Sequence, residues 1–111
     1  MPIEKWSDSV AIVHLGDDPQ FSEDLDSACH LEQPYVSRIL DFSVVHFVNS
    51  SNIAALLRLR RRIHDENGSL ILCNVLSQVW ATFLVTGLDK IFDISENVTT
   101  ALATIQMNKQ I

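Results

Sequence analysis

Residues 39 to 52 read Ile39-Leu40-Asp41-Phe42-Ser43-Val44-Val45-His46-Phe47-Val48-Asn49-Ser50-Ser51-Asn52, and this stretch decides the fold. An apolar run of strand character ends in a polar turn with two adjacent serines, and a helical pattern starts directly after it. Ile53, Leu56, Leu57, Leu59 and Ile63 recur near the period of about 3.6 residues and predict an amphipathic helix that stops at Asn67-Gly68. The paired hydroxyls therefore stand at a helix start, where free backbone N–H groups and the positive end of the helix dipole favour an anion. A phosphate on one serine would sit in a receptive place, which points to a switch rather than an enzyme.

Working outward, Val36, Ile39, Leu40 and Phe42 predict a mostly buried strand over 36–42, and Val44 to Val48 continues the apolar run to the serine turn. Upstream, Val10 to Leu15 is a compact apolar run that ends at Gly16-Asp17-Asp18-Pro19, a strong turn signal. Ile3 to Trp6 pairs with it through a turn near Ser7-Asp8, making an opening hairpin. Phe21, Leu25 and Ala28 at helical spacing predict a first helix from 21 to 31, with Ser22 as its N-cap and Pro34 beyond its end. Downstream, Leu70, Ile71, Leu72 and Val75 predict a buried strand over 69–75. Leu76, Val79, Trp80, Phe83 and Leu84 then form a helical stripe that faces the sheet and closes at Gly87 as a left-handed cap. Ile91 to Ile94 reads as a short strand, and Ser95 caps a last helix that buries Val98, Ala101, Leu102 and Ile105. Repeated strand-helix-strand units imply a single-domain α/β fold over residues 1–111: a mixed, largely parallel β-sheet packed with α-helices.

Composition bounds the function. A chain of 111 residues holds one buried core, with 47% hydrophobic and 20% charged residues. No apolar run approaches the roughly 20 residues of a membrane span, so membrane insertion is not expected. Met1-Pro2-Ile3-Glu4-Lys5-Trp6 lacks the regions of a signal peptide, and the expected location is cytoplasmic. Cys29 and Cys73 have no Cys-x-x-Cys spacing and no histidine at ligand spacing, so no metal site or redox motif is expected and both read as reduced thiols. Asn49-Ser50-Ser51 and Asn97-Val98-Thr99 match the N-glycosylation pattern by chance. The net charge of −6 argues against a nucleic-acid surface. Yet four of the eight basic residues, Arg58, Arg60, Arg61 and Arg62, fall within five positions. Such a cluster attracts phosphates or RNA, or is a solvated face that complements a helix C-terminus.

Catalytic chemistry finds little support. His14, His30, His46 and His64 are available, but no Gly-x-Ser-x-Gly elbow surrounds Ser50 and no phosphate-cradling glycine loop occurs. His14 and His46 lie in apolar runs and read as structural, His64 as a complement to the helix dipole, and Trp6, Trp80 and the five phenylalanines as packing residues. No catalytic residue and no cofactor is expected.

Three pieces together resemble the STAS domain, the fold of bacterial anti-sigma factor antagonists, over nearly the whole chain. The first is Leu40-Asp41-Phe42-Ser43 leading to Phe47-Val48-Asn49-Ser50-Ser51, similar to the family's strand and Asp-Ser-Ser-Gly turn. The second is the strand Leu70 to Asn74 followed by a helix closing at Thr86-Gly87-Leu88, and the third is Ile91-Phe92-Asp93-Ile94 before the terminal helix. The resemblance implies a phosphoacceptor at Ser50 and a partner-binding turn made of Asn49, Ser50, Ser51 and Asn52. It further implies a partner that is both serine kinase and anti-sigma factor, and a phosphoserine phosphatase that resets the switch. Asn49 stands where the family has Asp, and Asn52, which tolerates left-handed backbone angles, stands where it has Gly. The plainer reading is that one serine merely caps the helix. Two alternative functions stay open: a non-phosphorylated STAS scaffold or lipid-transport accessory subunit, and a small-ligand or nucleotide sensor built on Arg58 to Arg62.

Overall fold

The computed structural model describes residues 3–7, 9–29 and 37–109. The expected turn residue Asp8, the helix end at Leu31, Pro34, His30 and the strand start at Val36 lie outside the described residues. In chain order the elements are β1 (Ile3–Lys5), β2 (Val10–His14), α1 (Gln20–Cys29), β3 (Ser37–Asp41), α2 (Ser50–Asp65), β4 (Leu70–Cys73), α3 (Ser77–Thr86), β5 (Asp93–Ser95) and α4 (Val98–Lys109). The strands form one sheet in the order β1-β2-β3-β4-β5, with β1 antiparallel to β2 and every later pair parallel. The expected α/β fold with its opening hairpin is what the chain adopts.

Side-chain alternation divides the core between the two faces of this sheet. Val13, Leu40 and Leu72 point to the face covered by α1, α2 and α3, where they meet Phe21, Leu56 and Phe83. Their neighbours Ile12, Ile39 and Ile71 point to the other face, where Ala101 and Ile105 of α4 cover them. Buried on both sides, β2 and β4 read as near-continuous apolar runs for this reason. Strand β3 also buries the polar Ser37, Arg38 and Asp41; Arg38 is fully buried, and its guanidinium lies 3.9 Å from Glu66 Oε2. Burial pulls its pKa down and the charge of Glu66 partly offsets that.

Several local expectations change. The apolar segment Val44 to Val48 is not strand: β3 ends at Asp41, and 42–49 cross the C-terminal edge of the sheet as an irregular connection. Val45 is buried there, while Val44 and Phe47 are 57% and 63% exposed. Ser22 does not cap α1 but lies inside it, and its N–H donates to Asp18 Oδ1 at 3.1 Å. Of the stripe on α3, Val79 and Phe83 face inward, whereas Trp80 and Leu84 are 37% and 51% exposed. Leu57 of α2 is also exposed. Ser95 belongs to β5, and the side chain of Asn97 takes the capping role by accepting from the Thr100 N–H at 2.8 Å. Ile91 precedes β5 and is exposed. The two helix stops hold: Asn67 adopts φ 60° while the Gly68 N–H returns to the Ile63 carbonyl at 2.9 Å, and Gly87 adopts φ 78°.

Candidate functional site

The strands β2, β3 and β4 run parallel, so the connections that leave their C-terminal ends gather at one edge, where ligands and partners of open α/β sheets commonly bind. The serine turn is here. Asn49, with φ −107° and ψ 177°, is the N-cap of α2. Its Oδ1 accepts the Asn52 N–H at 2.8 Å, and Asn52 Oδ1 accepts the Asn49 N–H at 3.0 Å, closing a reciprocal capping box. The reading in which a serine caps the helix is therefore overturned. Ser50 and Ser51 are the first two helical residues, both exposed, and neither hydroxyl makes a hydrogen bond among the described residues.

Asn52 is 2% exposed and helical, so its tolerance of left-handed angles is unused and its side chain acts from beneath the surface. Its amide donates to Asp18 Oδ2 at 3.0 Å, and the Asn49 amide donates to the same oxygen at 3.2 Å. Asp18 Oδ1 accepts the Ser22 hydroxyl at 2.8 Å as well as its N–H. Beside it, Asp17 Oδ1 accepts the His46 N–H at 2.7 Å, and Asp17 Oδ2 lies 2.7 Å from His46 Nδ1. Two aspartates from the turn before α1 thus hold the serine turn and the connection leading to it. This arrangement explains both asparagines. An Asp at 49 would bring a carboxylate against that of Asp18, and a Gly at 52 would lose the box and the Asp18 anchor together.

Asp17 and Asp18 were read from sequence as turn residues alone; their adjacency to Gly16 and Pro19 marked the turn but not its distant partners. Hydrogen bonds from Asn52 and then Ser22 hold the Asp18 carboxyl below its usual range against the opposing effect of burial. The His46 ring and N–H do the same for Asp17. Depressed carboxylates contribute stability that is present above the unfolded value of about 3.9 and is lost as pH falls through the lower folded value. Thermal midpoints measured from about pH 2 to 6 are expected to fall more gently for Asp18→Asn than for the parent chain. Identical slopes would count against the anchoring role of Asp18.

A second polar group lies at the same edge. Asp41, the last residue of β3, is buried and places Oδ2 2.8 Å from His14 Nδ1, while Oδ1 accepts the Ser43 N–H and the Asn74 amide, each at 3.0 Å. His14 Nε2 in turn lies 3.4 Å from Glu4 Oε1. Burial and the nearby charge of Asp41 push the Cys73 thiol up to about 12, which keeps it protonated and unreactive.

With this geometry in place, the sequence matches the STAS domain family over residues 14–101. The chain belongs to the STAS domain family. Solved structures share its fold at low identity. The protein TM1081 of Thermotoga maritima superposes with a TM-score of 0.83 at 18% identity, covering 95% of this chain and 93% of that one. An anti-sigma-factor antagonist (STAS) domain protein from Planctomyces limnophilus gives 0.77 at 21%, covering 94% and 97%. The Bacillus cell fate determinant SpoIIAA in its phosphorylated form gives 0.68 at 17%, covering 93% and 96%. Comparison with curated proteins found no significant match.

Within this STAS chain His14 ends the apolar strand β2 as read, whereas His46 lies in the irregular connection and not in a strand; both are exposed and pair with carboxylates. Neither bonds to Ser50 or Ser51. The arginines of α2 have different neighbours. Arg58 lines a cleft against α1, Arg60 and His64 line another of about 290 Å³ beside Phe92 and Asp93, and Arg62 Nε reaches Glu66 Oε1 at 3.4 Å. No group of three potential metal ligands occurs among the described residues, and no described helix is long and apolar enough to cross a membrane.

Proposed function

We propose that this chain is a protein-binding module, an anti-sigma factor antagonist whose serine turn docks an anti-sigma factor that is also a serine kinase. Ser50 is the phosphoacceptor. The observation that carries this reading is the capping box of Asn49 and Asn52, which caps α2 without either serine and leaves the Ser50 hydroxyl exposed and uncommitted. A serine needed for capping would lose its hydrogen bond on modification; this one does not. The family membership supports the reading, as does the phosphorylated form in which the similarly folded SpoIIAA was solved.

Docking would use the exposed Val44 and Phe47 together with Ser50, an apolar surface beside a small neutral hydroxyl. Phosphorylation adds about −1.5 to −2 charges at a turn whose anchors, Asp17 and Asp18, are already acidic. A partner packed on the hydroxyl would then face a bulky dianion and dissociate, and a phosphoserine phosphatase would restore binding. Capture of the partner from native lysate, identified by mass spectrometry, sets up the test. Ser50→Ala is expected to retain the partner, and Ser50→Asp to lose it by about tenfold or more, equivalent to roughly 1.4 kcal/mol. Equal affinity of the two variants would sink the mechanism.

A further inference from the structure

Ser50 and Ser51 are both free of capping duty, but they face different surroundings. Ser51 lines a cleft of about 200 Å³ between α1 and α2, together with Ser22, Asp26 and Cys29 of α1 and Ala55 and Arg58 of α2. Ser50 does not line it. The difference follows from helix geometry: at about 100° per residue, Arg58 stands seven residues from Ser51, about 20° off its meridian, but eight from Ser50, about 80° off. Helical side chains tilt toward the N-terminus, the direction in which Ser51 lies from Arg58 along the cleft. Arg58 makes no hydrogen bond or ion pair among the described residues, unlike Arg62 with its Glu66. The Ser22 hydroxyl already donates to Asp18, so Arg58 is the donor the cleft offers to an incoming anion.

We propose that Ser51 is a second phosphoacceptor whose phosphate is held by Arg58 within the cleft between α1 and α2. The proposal rests on the reading of Ser50 insofar as the same partner kinase supplies the phosphoryl group. In the transfer, the Ser51 hydroxyl oxygen bonds to the γ-phosphorus of a nucleoside triphosphate carried by that partner. The bridging bond to the β-phosphate breaks, the nucleoside diphosphate leaves, and the hydroxyl proton passes to a base of the kinase. A guanidinium pairs with phosphate through parallel N–H donors, so this phosphate turns inward along α2, while one on Ser50 projects toward the partner. Asp26 is the opposing charge in the cleft and limits the strength of the capture. Two adjacent serines would then have separate consequences, release of the partner at Ser50 and an internal charge staple at Ser51.

The full chain carrying phosphoserine installed at 51 is titrated by phosphorus NMR, with and without Arg58→Ala, and compared with the chain carrying it at 50. Arginine favours the dianion, so the second phosphate pKa at 51 is expected to rise by about half a unit or more when Arg58 is removed, and the value at 50 to stay unchanged. The thermal midpoint of the Ser51-modified chain should drop on Arg58→Ala by more than that of the unmodified chain. An unchanged titration at 51 would overturn the proposal. Tandem mass spectrometry of the protein from its native cells separates the two readings: phosphate found on Ser51 supports this one, phosphate on Ser50 alone overturns it and leaves the antagonist reading standing, and phosphate on neither removes both.

Discussion

Phe42→Ala is expected to lower stability by about 3–5 kcal/mol. Phe42 is fully buried where β3 gives way to the connection leading to Ser50, and its ring meets Phe21 of α1 and Phe83 of α3 edge to face, at centroid distances of 5.8 Å and 6.1 Å. One side chain therefore joins two helices to the sheet. Its backbone is held as well: the Phe42 N–H donates to the Cys73 carbonyl at 3.0 Å, and the Phe42 carbonyl accepts from Val45 at 2.9 Å. Truncation leaves a ring-sized void that the backbone anchors prevent from collapsing, so both the transfer cost and the cavity cost apply. Urea unfolding should show the midpoint fall with the slope unchanged, and Phe42→Leu should cost much less. A loss below about 1 kcal/mol would mean that the three rings do not form the joint described.

Asp41→Ala is expected to cost about 2–3 kcal/mol at neutral pH. The carboxylate gathers the Asn74 amide, the His14 ring and the Ser43 N–H, and its loss leaves these groups, two of them on the connections leaving β3 and β4, without their acceptor. Burial alone would raise the pKa of Asp41, but these hydrogen bonds outweigh it and hold the carboxyl below its usual range. The sign follows: the stabilisation is complete above the unfolded value of about 3.9 and disappears as pH falls through the folded value beneath it. The stability gap between the parent chain and Asp41→Ala should accordingly narrow in acid. Amide hydrogen exchange at Ser43 and Val45 should speed up in the variant, since the connection to the serine turn loses its first anchor. A gap that stays constant down to about pH 2 would assign the effect to packing instead of charge.

Much of the fold was legible because it is written in local periods. The run at Leu70 to Cys73 and the stripe of Leu56, Leu59 and Ile63 each declare an element without reference to the rest of the chain. Misreadings arose where apolar residues do not face the core. Val44, Phe47, Trp80 and Leu84 extend apolar patterns yet stand exposed, and no local rule separates a core residue from one available to a partner. The site was legible as a position: Ser50 and Ser51 do open α2. Its working parts were not, since Asp17, Asp18 and His46 act across loops that only the fold brings together.

The sequence by itself determined the alternation of strand and helix, the mixed sheet and the place of the serine turn at the start of α2, because hydrophobic period and turn chemistry are properties of neighbouring residues. The capping box of Asn49 and Asn52 is local, closed over three residues, but only the tertiary structure decided that Asp18 holds their amides and that Ser50 and Ser51 face different surroundings. Those outcomes depend on which oxygen meets which N–H across separations of 31 and 34 residues, and such meetings exist after the sheet has brought the ends of β2 and β3 to a common edge.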